Sequence, residues 1–202
     1  MSGDHEHAPG RAHEDLPVAA RVRRLEERVI AAGLASDEEI DELLARFYAD
    51  ASPVSGARLV ARAWTDAGFR DRLLADGSAA AAEAGYGPQT SDYQLRVVAN
   101  AVGRHNVIVC TLCSCYPLSL LGPSPSWYKS LAYRSRTVRE PRAVLAELGL
   151  HLPDSTDIEV WDSTAEVRYL VLPVRPAGTD GLTSDDLAAL VTRNGLIGTA
   201  AV

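Results

Sequence analysis

All cysteines of the chain, Cys110, Cys113 and Cys115, lie within six residues of one another. Thiolates are ligands for soft and borderline metal ions, and three sulfurs at this spacing can reach the same ion. Cysteines that serve only as small buried hydrophobes have no reason to cluster in this way. The segment Val109–Pro117 is therefore predicted to be a metal-binding loop.

The number of donor atoms distinguishes the sites that this loop could form. A structural zinc site closes with four ligands, and the fourth would have to be His105 or a residue without a motif. Iron–sulfur clusters require a fourth cysteine, and a Cys-x-x-Cys redox pair leaves Cys115 unexplained. Three thiolates with the deprotonated backbone amides of Ser114 and Cys115 give five donors and one open position. This set favours trivalent cobalt or iron in a reactive site.

The composition narrows the class of protein further. The chain has 202 residues, of which 47% are hydrophobic and 23% charged, and a formal net charge of −7. This length is sufficient for one well-buried core. The negative charge argues against nucleic acid and anionic membranes as partners, and no apolar run is long enough to span a bilayer. Because the polar start also lacks the apolar core of a signal peptide, a cytoplasmic location is predicted.

Three regions that differ in composition and periodicity are predicted along the chain. They are a disordered tail over residues 1–16, a helical N-terminal arm over 17–87 and an α+β metal-binding catalytic core over 88–202. The first helix of the arm carries an apolar stripe at steps of four and three, Val18, Val22, Leu25 and Val29. The next helix opens with a capping box at Ser36 and Glu39. Another chain is expected to cover the apolar face of this arm.

The predicted fold class is α+β, with the helical arm on a mixed α/β core. Tyr93–Val98 and Val107–Cys110 have the composition of strands, and the second leads into the metal-binding loop. Leu118–Leu121 forms an apolar turn directly after it, which places the loop at a strand-to-helix junction. Ile158–Trp161 and Val167–Leu172 are predicted to pair as a hairpin across residues 163–164.

The sequence from Cys110 to Pro117, Cys-Thr-Leu-Cys-Ser-Cys-Tyr-Pro, resembles the metal-binding signature of the nitrile hydratase α subunit. Thr111 resembles the cobalt type, since the iron type carries Ser at this position, and iron is the less favoured metal. Further segments resemble the same family: Ala61–Trp64, Gly85–Gln89, Ser126–Ser130, Tyr133–Arg136, Trp161–Ser163 and Ala189–Arg193. The resemblance covers about residues 18–198 and is shared with the metal subunit of thiocyanate hydrolase.

This resemblance implies that a nitrile is hydrated to its amide at one low-spin Co(III) ion per chain. The ligands would be the sulfurs of Cys110, Cys113 and Cys115 and the backbone nitrogens of Ser114 and Cys115. In the family, the residue at Cys113 is oxidised to a sulfinate and that at Cys115 to a sulfenate. Cys115 would act as nucleophile or as base, with the Ser114 hydroxyl near the substrate. Gln89 matches a family position that orients groups beside the metal.

The resemblance also implies several partners. A β subunit, as one chain or split into two, would supply arginines to the oxidised cysteines, and a separate protein would insert the cobalt. Asp162 and Glu166 match carboxylates that support the metal ligands from a distance, although ordinary turn residues also occupy such positions. The basic residues of 134–142 are expected to contact another subunit.

One position departs from the family pattern. Leu118 stands where the family usually has a tryptophan that lines the substrate pocket. The smaller side chain predicts a bulkier nitrile, such as a heteroaromatic one of the kind used by toyocamycin-type nitrile hydratases, unless a partner side chain fills the space. The alternatives are the metal subunit of a thiocyanate hydrolase, a non-catalytic cobalt-carrying module and a structural zinc domain.

Overall fold

The computed structural model describes residues 18–86 and 93–202. The predicted tail over residues 1–16 and Gln89 lie outside these described residues. The described chain combines helices with short strands, which confirms the α+β fold class. Its contacts divide it into two units, one up to Phe47 and one from Tyr48.

The first unit is built from helix α1 (Val18–Ala31) and most of helix α2 (Asp37–Asp50). The predicted capping box opens α2, since the Ser36 N–H donates to the Glu39 carboxylate at 2.8 Å and the Glu39 N–H donates to Ser36 Oγ at 3.2 Å. Helix α1 contains no buried residue. Its apolar stripe is exposed at Val18 (73%), Val22 (57%) and Leu25 (62%).

The second unit begins with three helices that follow one another closely, α3 (Pro53–Thr65), α4 (Ala67–Ala75) and α5 (Gly77–Glu83). Each starts at a side chain that accepts a backbone N–H, namely Ser52, Asp66 and Asp76. The buried residues of these helices belong to the same apolar core as the strands. Helices assigned to the arm from sequence thus contribute to this core, and the division of the chain at residues 16 and 87 stays a prediction.

The strands of the described chain form two parallel pairs. The strands are β1 (Gln94–Ala99), β2 (Arg104–Val109), β3 (Asp157–Asp162) and β4 (Val167–Leu172). Strand β1 pairs with β4, and β2 pairs with β3. The predicted hairpin between β3 and β4 is therefore wrong. Leu170, Val171 and Leu172 are buried in succession, and such an unbroken apolar run is typical of parallel strands covered on both faces.

The segment between β2 and β3 carries the cysteines. It contains α6 (Leu118–Leu121), a 3₁₀ turn (Ser126–Lys129), α7 (Leu131–Arg136) and α8 (Pro141–Glu147). The loop leaves β2 at Val109 and enters α6 at Leu118, which confirms the strand-to-helix junction.

The C-terminal part of the unit contains two short helices, α9 (Ser184–Leu190) and α10 (Arg193–Ile197). Thr192 separates them, because its side chain accepts the Gly195 N–H and starts a new helix. None of the described helices combines the length and the apolar character needed to cross a membrane.

Candidate metal centre

The three cysteine sulfurs converge at the end of β2. All lie within 4.8 Å of one another, with 3.4 Å between Cys110 and Cys113 and 3.2 Å between Cys113 and Cys115. Cys110 is buried, Cys115 is half-buried and Cys113 is exposed. In the part of the chain that the structure describes, this is the one cluster of Cys, His, Asp and Glu side chains able to share an ion. The structure thus brings the three predicted sulfur ligands together.

The thiols influence one another's ionisation. Hydrogen bonds from the Cys115 and Cys110 thiols lower the pKa of Cys113 to about 7, and the backbone amides of Cys115 and Ser114 act in the same direction. Burial and the bond to Cys113 raise the pKa of Cys115 to about 12. The Cys113 thiol therefore ionises more readily than the Cys115 thiol.

The backbone contributes donors to the same place. The amides of Ser114 and Cys115 face the Cys113 sulfur, and the Cys113 N–H donates to Cys110 Sγ at 3.3 Å. Ser114 is exposed, so its hydroxyl is accessible from outside the chain. Three thiols with two backbone amides beside them fit an ion that binds soft donors and acidifies amides, which is the property of cobalt or iron rather than of calcium or magnesium.

His105 does not complete a zinc site. Its ring is 8% exposed, Nδ1 lies 3.2 Å from Asn100 Nδ2, and Nε2 lies 2.7 Å from Gly198 O. A neutral ring that accepts at Nδ1 and donates from Nε2 satisfies both contacts, and burial lowers its pKa. His105 is thus a hydrogen-bonded residue of the core, with both nitrogens in use.

Side chains from two distant elements hold the first half of the loop. Asp162, at the end of β3, accepts the Thr111 N–H at 2.9 Å and the Thr111 hydroxyl at 2.6 Å. Arg134, on α7, donates from Nε to Cys110 O at 3.1 Å and from a terminal nitrogen to Thr111 O at 2.8 Å. The backbone around Thr111 is therefore bonded on both sides.

Other side chains hold the end of the loop. The buried Tyr128 hydroxyl donates to Cys115 O at 2.9 Å. Arg168 donates to Tyr116 O at 2.8 Å while its guanidinium lies 4.5 Å from the centre of the Tyr93 ring. The charge of Arg168 also opposes the rise in the pKa of Cys115. Residues far apart in sequence thus fix where the chain leaves the site.

The other two predicted site residues that the structure describes, Leu118 and Glu166, differ in burial and in their hydrogen bonds. Leu118 is the first residue of α6, half-buried and packed against the main core. Glu166 lies between β3 and β4, where its carboxylate is exposed and bonded to Thr164, which lowers the pKa of Glu166. The hydrogen bonds of the described chain connect Asp162 to the loop, whereas they connect Glu166 to Thr164 in its own turn and, through its carbonyl, to the Gln94 N–H at the start of β1.

The basic run does not form one surface. Arg136 bonds to Glu140 and Glu147, and Arg142 donates to the backbone of the segment 152–156. Arg134 faces the metal-binding loop. Each of these arginines therefore has a partner within its own chain, and a contact with another subunit stays a prediction.

The sequence analysis assigned no role at the loop to three residues that the structure places against it, Tyr128, Arg134 and Arg168. Tyr128 was noted only for its family resemblance, and Arg134 was expected to contact another subunit. For Arg168 the sequence did carry a signal, because an arginine inside an apolar strand such as β4 needs a hydrogen-bond acceptor to balance its burial. The identity of that acceptor depends on the fold.

Comparison with known proteins agrees with this geometry. The family described as nitrile hydratase, alpha chain, matches residues 16–200. The chain belongs to this family. Nitrile hydratases are hydro-lyases, so the chain falls within an enzyme family, and the resemblance noted in the sequence is confirmed.

Relatives of both metal types and of both activities occur among the matches. The low-molecular weight cobalt-containing nitrile hydratase subunit alpha of Rhodococcus rhodochrous is 47% identical over 188 residues, covering 93% of this chain and 89% of the relative. The thiocyanate hydrolase subunit gamma of Thiobacillus thioparus is 51% identical over 158 residues, covering 73% of this chain and 65% of the relative. A double mutant of the Fe-type nitrile hydratase from Comamonas testosteroni Ni1 superimposes with a TM-score of 0.84 at 43% identity, covering 91% and 89%.

Proposed function

We propose that this chain is the metal-carrying subunit of a cobalt nitrile hydratase, which hydrates a nitrile to an amide. The observation that carries the proposal is the convergence of three sulfurs within 4.8 Å in a loop that resembles the family signature. Thr111, the residue directly after Cys110, and the name of the cobalt-containing relative support cobalt over iron. The Fe-type structural relative keeps iron as the second choice.

The proposed ligands are the sulfurs of Cys110, Cys113 and Cys115 and the backbone nitrogens of Ser114 and Cys115. Bound Co(III) supplies a Lewis-acidic centre that polarises a nitrile or activates water. The convergence of the three sulfurs and the two backbone amides beside the Cys113 sulfur support the assignment. The exposure of Cys113 and Ser114 leaves one side of the site accessible to a substrate.

The proposed catalytic residues are Cys115, Ser114 and Gln89. With dioxygen as the oxidant, Cys113 would become a sulfinate and Cys115 a sulfenate. The negative oxygen on Cys115 would remove a proton from a water that attacks the nitrile carbon, or would attack that carbon itself and then be displaced by water. The exposed Ser114 hydroxyl donates a hydrogen bond to the substrate. Gln89 enters the proposal through the family resemblance alone.

Two carboxylates are proposed to support the ligands. Asp162 does so through Thr111, whose N–H and hydroxyl it accepts. Glu166 is proposed to act at longer range, by fixing the turn that joins β3 to β4, since its carboxylate and its N–H both bond to Thr164. Mutation of such supporting groups typically lowers metal affinity or activity by about 10- to 100-fold.

The proposed partners are a β subunit that supplies arginines to the oxidised cysteines and a protein that inserts cobalt. Anionic sulfur oxygens at an exposed position need cationic partners, and Arg134 and Arg168 of this chain are already bonded to backbone carbonyls. Nucleic acid and membranes are not proposed as partners. We propose a cytoplasmic location, where thiols remain reduced until the site matures.

The proposed substrate is a bulky nitrile, such as a heteroaromatic one of the toyocamycin type. Leu118 is smaller than the tryptophan of the family pattern, and its side chain packs against the main core. An aromatic ring of the substrate would bury apolar surface there.

A second candidate is the metal subunit of a thiocyanate hydrolase. The 51% identity to thiocyanate hydrolase subunit gamma favours it. A small anion such as thiocyanate, however, would gain little binding energy from a substrate pocket enlarged at Leu118. For this reason we place thiocyanate hydrolysis second.

The test is to produce the chain with its β partner in cobalt-supplemented, aerobic culture. Metal analysis and intact mass are expected to show stoichiometric cobalt and added oxygen on the cysteines. Turnover is then compared for a heteroaromatic nitrile, an aliphatic nitrile and thiocyanate. Preference for thiocyanate would select the second candidate, whereas active protein with zinc and no cobalt would contradict both.

A further inference from the structure

Arg134 makes an unusual pair of contacts with the metal-binding loop. Its Nε and one terminal nitrogen donate to two successive carbonyls, Cys110 O at 3.1 Å and Thr111 O at 2.8 Å. The guanidinium is planar and presents its N–H groups in a fixed fork, so the two carbonyls must point the same way. Within the described residues, no carboxylate forms an ion pair with Arg134, and the hydrogen bonds found for its side chain are those to the loop.

The contacts on the two faces of this segment complement one another. Arg134 occupies the carbonyl oxygens of Cys110 and Thr111, while Asp162 occupies the Thr111 N–H and hydroxyl. The turn that results places the Cys113 N–H 3.3 Å from Cys110 Sγ and the two sulfurs 3.4 Å apart. These contacts within the chain thus hold the backbone that carries the first two sulfurs.

The middle of the loop differs from this segment. Leu112 is 82% exposed, and Ser114 is exposed as well. The described chain offers no side-chain hydrogen bond to the Leu112 or Ser114 carbonyls, and the next anchor is Tyr128 at Cys115 O. The loop therefore has a preformed first half and an adaptable middle.

We propose that Arg134 is a positioning residue that preforms the Cys110–Cys113 half of the metal site before any ion binds, so that capture begins at this pair of thiols. The inference rests on the proposed metal-binding function. A fork that holds two carbonyls reduces the conformations that the empty loop can adopt, and this lowers the ordering cost of metal binding.

The experiment compares the full unaltered chain with R134K, R134M and the control R136A. Arg136 lies on the same helix but bonds to surface carboxylates and has no contact with the loop. Amide hydrogen exchange of the metal-free chains is measured over residues 109–116, together with thermal unfolding. The chains are then loaded with Co²⁺ alone, and the loss of metal to EDTA and the cobalt–thiolate absorption are followed.

We expect R134M to exchange roughly 10- to 100-fold faster in this segment, since hydrogen bonds to a charged group are lost. R134K, which can reach one carbonyl but not both, should fall between R134M and the unaltered chain. R136A should match the unaltered chain. The cobalt of R134M should be lost at least about tenfold faster, with a shifted thiolate absorption.

Different outcomes separate this inference from the proposed function. Unchanged local exchange in both Arg134 variants would overturn the positioning role, even if cobalt binds. Faster exchange throughout the core, with equal effects of R134K and R134M, would also overturn it, since the arginine would then support the fold in general. If the unaltered chain, produced together with its β and cobalt-inserting partners, holds no cobalt while the variants still loosen the segment, the metal function fails and preformation of the loop stands.

Discussion

The metal-binding loop and helix α1 both expose groups that a folded chain normally pairs or buries. In the loop the exposed groups are the Cys113 thiol and the backbone around Ser114, while the flanking backbone is bonded to Asp162, Arg134 and Tyr128. In α1 the exposed groups are the apolar side chains of its stripe, and none of its residues is buried.

The two regions differ in the kind of partner that would cover their exposed groups. Side chains of the same chain hold the backbone of the loop, and its sulfurs suit one kind of partner, a metal ion. Helix α1 satisfies its backbone by its own turns and requires apolar area, which any complementary surface can supply. Substitutions in the loop should therefore affect metal binding with little effect on stability, and those in α1 should affect neither in the isolated chain.

The largest effect is expected from Cys113→Ala. Removal of the central sulfur should reduce bound cobalt from stoichiometric to trace amounts, because each thiolate of the set is a ligand. The melting temperature should stay nearly constant, since Cys113 is exposed. Metal analysis after dialysis measures the first quantity, with Leu112→Ala as a control in the same loop. Full cobalt content in the Cys113 variant would contradict the ligand assignment.

The contrast in burial is tested by two matched leucine substitutions. Leu73→Ala, at a position with 0% exposure in α4, should lower the free energy of unfolding by about 2–5 kcal/mol, because it leaves a cavity. Leu25→Ala, at 62% exposure in α1, should change it by no more than about 0.5 kcal/mol. Urea unfolding compares the two. Equal losses would show that α1 is packed within the free chain.

A smaller effect is expected from Asp162→Asn. The amide can still accept the Thr111 N–H, but its NH₂ group cannot accept the Thr111 hydroxyl. We expect a loss of about 1 kcal/mol in stability and faster release of cobalt to a chelator. Glu159→Gln, an exposed position on the same strand, is the control. If both variants release cobalt at the same rate as the unaltered chain, Asp162 does not support the ligands.

The smallest effect concerns His105 in the strand that leads to the loop. Burial lowers its pKa from the ordinary value of 6.5, so the unfolded chain binds a proton at a higher pH than the folded chain. Stability should therefore fall as the pH drops below about 6.5, by at most about 1.4 kcal/mol per pH unit for one proton. His105→Gln should remove this component, whereas replacement of the exposed His151 should not. Chemical unfolding between pH 5 and 8 measures it.

Much of the site could be predicted from sequence because its ligands are local. Cys110, Cys113 and Cys115 lie so close along the chain that almost any compact loop brings their sulfurs together. The capping box at Ser36 and the strand-to-helix junction are also short-range features. The hairpin of β3 and β4 failed because strand pairing depends on contacts over long sequence separations: β3 pairs with β2 and β4 with β1.

The sequence by itself identified the family and predicted the donor set and the class of metal that it suits, since these inferences rest on residue types at short spacing. Only the tertiary structure decided which groups hold the loop, because Arg134, Tyr128 and Asp162 reach it from elements 13 to 51 residues away. It also decided that His105 is a core residue with both ring nitrogens bonded. Hydrogen-bond partners are set by the packing of distant elements, and short-range patterns carry little information about that packing.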